Sequence, residues 1–177
     1  MPHSTKFTTL PLLLAILLAA PTTAPRAQEK PDTQAAPMAA LDGLTRGAWH
    51  AEGQGFTSTL VYRWRFEGRL LEVTNELTNP AGETLARYVG SYAWDPGANG
   101  IVFWTMAESG ELHRGRATWR AGVLWHEATV TGGRITSYAS ALRWEGDRME
   151  YFADYAATRA AAELLEREPL VYRRVDG

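Results

Sequence analysis

Two of the four histidines, His113 and His126, are the residues of this chain best suited to chemistry. Each alternates with small or apolar residues, so both are predicted to point to the inner face of a β-strand. Imidazole exchanges protons near neutral pH, and Glu111 shares the predicted face of His113. Glu127 follows His126 directly and must point the other way. These residues allow an acid–base hypothesis, in which an isomerase or hydrolase uses one inner histidine.

No established catalytic or metal-binding motif supports that hypothesis. The sequence has no G-x-S-x-G nucleophile elbow and no H-E-x-x-H, and no helical pattern follows the Gly53-Gln54-Gly55 triplet. The absence of cysteine excludes disulfides, thiol catalysis and thiolate metal sites. We therefore predict no catalytic residue set, no metal site and no cofactor, and keep the enzyme as an alternative.

The sequence supports ligand binding better than catalysis, because polar and aromatic side chains share strand faces with apolar ones. Such a lining suits a flat hydrophobic or amphipathic molecule with one or two polar groups. A barrel whose interior is simply filled by these side chains, with a structural or interaction role, is the third alternative. The predicted ligand-binding residues are Tyr88, Tyr92, Trp94, His113, His126 and Tyr138.

The element that positions three of these residues is a predicted β-hairpin from Arg87 to Met106. Its aromatic residues recur every second position, and Pro96, Gly97 and Gly100 supply a turn between its strands. The same alternation continues along the chain; in the second strand it places Tyr62, Trp64 and Phe66 on one face. Ten strands are predicted, at about 47–55, 57–66, 69–78, 83–94, 101–107, 111–120, 123–131, 134–143, 148–156 and 170–175.

Short turns between so many strands indicate an all-β, up-and-down antiparallel β-barrel, because closure removes the exposed edges of an open sheet. Two short helical segments accompany the strands. Residues 37–44 are predicted to form one helical turn, whose Leu41 and Leu44 plug one end of the barrel. The Ala- and Leu-rich segment 158–167 near the C-terminus predicts a helix, which either covers the barrel as a lid or lies on its surface.

Two features resemble the lipocalins and their calycin relatives: the G-x-W of Gly47-Ala48-Trp49, and Arg173 or Arg174 on the last strand. The resemblance implies that the Trp closes the barrel floor and that an Arg packs across it. The segments GSYAWDP and IVFWTMAESGELHRGRATW further resemble a bacterial lipocalin-like family of unknown function, which implies a fold and a pocket but no reaction. Nitrobindin-like haem-binding barrels are similar more distantly, but their haem ligand is a His near the C-terminal end, and no His follows His126 here.

The first 27 residues are typical of a secretory signal peptide. Lys6 precedes an apolar run from Leu10 to Ala20, and small residues follow. This pattern predicts a bacterial periplasmic or secreted protein, without a membrane anchor after cleavage. Residues 28–40 are predicted to be a flexible leader and residues 41–177 a single barrel domain. With 16 basic and 20 acidic residues after position 27, the net charge of −4 argues against a nucleic-acid partner. The sequence does not define the oligomeric state of the protein.

Overall fold

Ten antiparallel strands form one closed barrel in the computed structural model, which describes residues 35–155 and 161–175. Each strand pairs with its neighbours in sequence, and pairing of the first strand with the last closes the barrel. The predicted all-β up-and-down barrel is therefore confirmed. The predicted signal peptide and most of the predicted leader lie outside the described residues. The strands are β1 Ala48–Gly53, β2 Phe56–Arg65, β3 Leu70–Thr78, β4 Thr84–Asp95, β5 Gly100–Ala107, β6 Leu112–Arg120, β7 Val123–Thr131, β8 Ser137–Glu145, β9 Arg148–Asp154 and β10 Leu170–Val175.

Alternation along the strands separates the interior from solvent. In β7, His126, Ala128 and Val130 are buried inside the barrel, whereas Glu127 and Thr129 between them are exposed. A strand with this period-2 pattern has one register that buries its apolar face, so the pattern also fixes the pairing with its neighbours.

The N-terminal segment closes one end of the barrel, which we call the floor. It consists of α1 (Ala35–Ala39), within the predicted leader, and a 3₁₀ turn (Asp42–Leu44). Leu41 and Leu44 are fully buried there, as the sequence predicts. The burial of these leucines holds the segment against the strand ends, because it removes apolar surface from water.

Trp49 and Arg174 complete the floor in the way that the G-x-W resemblance implies. Trp49 is fully buried and its Nε1 donates a 2.8 Å hydrogen bond to the carbonyl oxygen of Leu44. The Arg174 guanidinium lies 4.5 Å from the centre of the Trp49 ring and donates a hydrogen bond to the carbonyl oxygen of Gly43. Of the two arginines left open by the sequence, Arg174 is therefore the stacking residue.

The second helix, α2 (Ala161–Leu164), packs on the outside of the barrel wall. Its Leu164 is buried against Val123, Ala141 and Phe152, which point outward from β7, β8 and β9. The lid expectation is wrong for the described part of this segment, and the surface alternative is confirmed; residues 158–160 lie outside the described residues. Within the described ranges, no helix is long and apolar enough to cross a membrane.

Phe66 does not continue the inward face of β2, contrary to the prediction. The strand ends at Arg65, and Phe66 enters the following turn with a φ of 49°. Its side chain is 75% exposed. The alternation therefore holds for Tyr62 and Trp64 but ends where the backbone leaves the extended region.

Candidate functional site

The barrel encloses a cavity of about 550 Å³ above the floor. It reaches solvent at the opposite end, where the exposed residues Arg134 and Tyr155 line it. All seven tyrosines of the chain line this cavity, whereas none of the seven tryptophans, all of which are described, does so. The cavity tyrosines are Tyr62, Tyr88, Tyr92, Tyr138, Tyr151, Tyr155 and Tyr172.

Tyr92 and His126 form a buried polar pair in the lower part of the cavity wall. The Tyr92 hydroxyl and His126 Nε2 lie 3.1 Å apart, and the edge-on ring of Phe103 lies 5.1 Å from the imidazole centre. His126 is only 3% exposed, and burial lowers its pKa to about 4, against a smaller opposing contribution from the backbone of Ser140. The imidazole is therefore neutral at neutral pH.

The tautomer of His126 decides which hydrogen of this pair is left for a ligand. Burial raises the pKa of Tyr92 well above its usual value, so its hydroxyl stays protonated. If Tyr92 donates to Nε2, the hydrogen on Nδ1 lies beside the backbone of Ser140; if Nε2 donates to Tyr92, the phenol hydrogen is free. His126 Nδ1 is buried without a well-formed hydrogen bond, and the backbone of Ser140 on the adjacent strand is the polar group beside it.

A second polar chain lies on the wall formed by β2, β3 and β10. The buried Ser58 hydroxyl donates to Asn75 Oδ1 at 2.8 Å, so it accepts from the Tyr172 hydroxyl at 2.9 Å. Burial raises the pKa of Tyr172 to about 12, although its bond to Ser58 opposes the shift. The amino group of Asn75 makes no hydrogen bond within the described residues and borders the cavity as a further donor.

The charged groups that line the cavity lie at its open end, which we call the mouth. Glu111 Oε1 and His113 Nε2 lie 2.5 Å apart, and the His113 ring packs edge-on against Tyr138 with 5.2 Å between ring centres. Arg134 lines the same end and forms no ion pair within residues 35–155 and 161–175. In those ranges, no group of three His, Asp or Glu side chains is placed to hold a metal ion.

Of the six residues that the sequence predicts to bind a ligand, the structure places five against the cavity: Tyr88, Tyr92, His113, His126 and Tyr138. The sixth, Trp94, packs against the buried core nearer the floor, opposite Ile101. Trp94 shares the inward face of Tyr92 but lies two residues further along β4, below the cavity. Whether any of these residues binds a ligand stays a prediction.

The two inner histidines do not meet. His113 pairs with Val130 and His126 with Ala117, so they occupy different levels of the wall. The sequence reasoning did not select four cavity tyrosines: Tyr62, Tyr151, Tyr155 and Tyr172. A signal for three of them was present, since Tyr62 alternates with Leu60, and Tyr151 and Tyr155 alternate with Met149, on inward faces.

The fold defines a closed ten-strand antiparallel barrel with an internal cavity, consistent with a calycin-like barrel. The chain is similar in structure to Rv2717c from M. tuberculosis, with a TM-score of 0.52 and 16% sequence identity over 78% of this chain and 96% of that one. At this identity the likeness concerns the fold alone. No known family model matches the sequence, and no curated protein matches it.

Proposed function

We propose that this protein binds a small hydrophobic or amphipathic molecule inside its barrel. The observation that carries the proposal is the cavity of about 550 Å³, which is open to solvent at one end and lined by all seven tyrosines. The volume lies in the range of about 300–1,000 Å³ that is usual for small-molecule sites. A barrel filled by its own side chains would leave no such space, so the third alternative has less support.

The enzyme alternative also has less support than binding. The side-chain partner of His126 among the described residues is Tyr92, a neutral phenol, and no carboxylate in those residues orients this imidazole. The pair of Glu111 and His113 contains a carboxylate and an imidazole, but no Ser or Thr hydroxyl hydrogen-bonds to His113 within the described ranges. A general base without an orienting group or a nucleophile lacks most of the usual catalytic arrangement.

The location belongs to the same proposal. Residues 1–27 support export to the periplasm or the medium of a bacterial cell, where the barrel would bind its ligand without a membrane anchor. Mass spectrometry of the mature protein recovered from cell fractions tests this. A mature N-terminus between residues 20 and 28 in the periplasmic or secreted fraction is expected. An intact N-terminus in the cytoplasm would refute the location.

Two measurements test binding. Native mass spectrometry of protein from its own cells should show an added mass that disappears on denaturation. A titration with the neutral fluorescent probe N-phenyl-1-naphthylamine should show saturable binding to the emptied barrel. The variant Val73→Phe should weaken probe binding about tenfold or more, because Val73 lines the cavity and the larger ring occupies its volume.

Val89→Phe is the matched control. It is the same Val-to-Phe substitution, but Val89 lies on the exposed outer side of β4, the strand next to that of Val73. It should bind the probe as the parent does. If Val73→Phe does not fold by circular dichroism, Leu142→Phe fills the same cavity from β8. Absence of saturable probe binding to the parent, or equal binding by the inner and outer variants, would refute the proposal.

A further inference from the structure

We propose that the ligand is an amphipathic monocarboxylate, with its carboxylate at Arg134 in the mouth and an uncharged carbonyl at the Tyr92–His126 pair. This inference rests on the proposed binding function and adds the chemical class and orientation of the ligand. Three observations carry it: the polarity of the deep end, the unequal pairing of charges at the mouth, and the distance between them.

The deep end favours an uncharged acceptor. Both side chains are buried, and when His126 Nε2 donates to Tyr92 the phenol hydrogen of Tyr92 is free for a ligand. A carbonyl oxygen accepts such a hydrogen without bringing a charge into an apolar environment. A carboxylate at the same depth would lose its hydration with no cation beside it, which is costly.

The mouth favours an anion over a cation. Glu111 is the carboxylate that lines this end, and His113 already occupies one of its oxygens. Arg134 lines the same end and has no ion-pair partner among the described residues. A ligand carboxylate therefore finds a free guanidinium, whereas a ligand amine finds a carboxylate that is already engaged. Guanidinium also suits carboxylate geometry, because its N–H groups can bind both oxygens.

The distance between the two ends sets the length of the ligand. His113 at the mouth pairs with Val130, four residues along β7 from His126. At a rise of about 3.4 Å per residue and the usual strand tilt of barrels, this separation is about 10 Å along the axis. Val73, Phe103 and Leu142 line the cavity around this path. The ligand should therefore have about 10 Å of apolar body between its carbonyl and its carboxylate.

Four matched compounds test the inference by displacement of N-phenyl-1-naphthylamine. They are 10-oxo-10-phenyldecanoic acid, its methyl ester, 10-phenyldecanoic acid and the corresponding keto-amine. The keto-acid should bind about three- to fivefold more tightly than its ester, since the ion pair with Arg134 is partly exposed. It should also bind about fivefold more tightly than the acid without the ketone, which lacks the deep hydrogen bond. The keto-amine should bind more weakly than the keto-acid.

Two variants of the mouth assign the charge contact. Arg134→Met should remove the preference for acid over ester, because the side chain keeps its length and loses its charge. Glu111→Gln is the matched control, and it should keep or increase that preference. Both residues line the mouth, so a nonspecific disturbance would affect the two variants alike.

The outcomes separate this inference from the proposed function. If all compounds displace the probe equally, or the ester or amine binds most tightly, the ligand class is wrong while binding in the cavity stands. An equal loss for acid and ester in Arg134→Met also refutes the ion pair. If neither the probe nor any compound binds, the proposed function itself fails.

Discussion

The floor and the cavity of this barrel use different aromatic residues, and the difference separates stability from binding. Five tryptophans lie at the floor end: Trp49, Trp64, Trp94, Trp119 and Trp144. The indole N–H groups of Trp49, Trp64 and Trp119 all donate to the N-terminal segment, at Leu44, Asp42 and Pro37. An indole has one donor and no acceptor, so one such bond satisfies it completely.

Around the cavity, the large inward-facing aromatic residues of the wall include tyrosines and no tryptophan. A phenol hydroxyl both donates and accepts, so it keeps hydrogen-bonding capacity even when one partner is present. Tyr92 and Tyr172 each have one partner inside the barrel. The comparison teaches that the protein itself satisfies the indole N–H groups of Trp49, Trp64 and Trp119 at the floor, while the cavity keeps hydroxyl groups that a ligand can also bind.

The largest expected effect belongs to the floor. Trp49→Ala should lower the free energy of unfolding by about 3–5 kcal/mol, because it removes a fully buried side chain, its hydrogen bond and the stacking surface of Arg174. Urea unfolding measures it. Trp104→Ala on the outer wall, where the ring is 41% exposed, should cost about 1 kcal/mol or less. Similar losses in the two variants would break the assignment of Trp49 to the floor.

The second effect concerns the buried imidazole of the cavity. Its pKa of about 4 lies below the usual histidine value of 6.5, so the unfolded chain takes up a proton more readily than the folded protein. Stability should be full above about pH 6.5 and fall between there and pH 4, by up to about 3 kcal/mol in total.

His126→Gln should remove this contribution. Unfolding midpoints measured in urea at pH 7 and pH 5 test it: the parent should lose stability over this interval, and the variant should lose markedly less. An identical pH dependence in both proteins would show that His126 is not buried in its neutral form.

A pair of phenol-to-phenyl changes compares two cavity tyrosines directly. Tyr92→Phe leaves His126 Nε2 without its partner and should cost about 1–2 kcal/mol of unfolding free energy. Tyr62 is equally buried, but its hydroxyl has no hydrogen bond within the described residues. Tyr62→Phe should therefore change the unfolding free energy by no more than about 0.5 kcal/mol. Calorimetric unfolding of both variants decides whether the Tyr92–His126 contact exists.

The smallest effect isolates one floor hydrogen bond. Trp119→Phe removes the 3.1 Å bond from Nε1 to the carbonyl oxygen of Pro37 but keeps an aromatic ring in contact with Trp144. A loss of about 1 kcal/mol is expected, with some of it from the smaller ring. Protection in hydrogen exchange of the Ala40 and Leu41 amides, which bond back to Ala36 and Met38, should fall as well. Unchanged protection would mean that this bond does not hold the segment to the floor.

Much of the fold could be predicted from the sequence, because the determining signals are local. The alternation of residues located the ten strands to within about three residues, and G-x-W located the floor. The position of Trp94 could not be predicted in the same way. The alternation shows that it points inward, but its level along the barrel axis depends on the stagger of all the strands together.

The mouth was harder to predict for a related reason. Arg134 follows β7 in a loop, where no alternation indicates the direction of a side chain. Outward-facing residues of a barrel strand are usually exposed, but Phe152 points outward and is buried by α2. A pattern in one strand does not contain the information about what covers its outer face.

The separation of tyrosine from tryptophan gives this protein two chromophores with different locations. Tyrosine absorbs and emits at shorter wavelengths than tryptophan, and it can pass its excitation to nearby indoles. A molecule in the cavity should therefore change tyrosine emission and the transfer to tryptophan, while the buried indoles of the floor report on unfolding. A single emission spectrum can distinguish an occupied barrel from an opened one without any attached label.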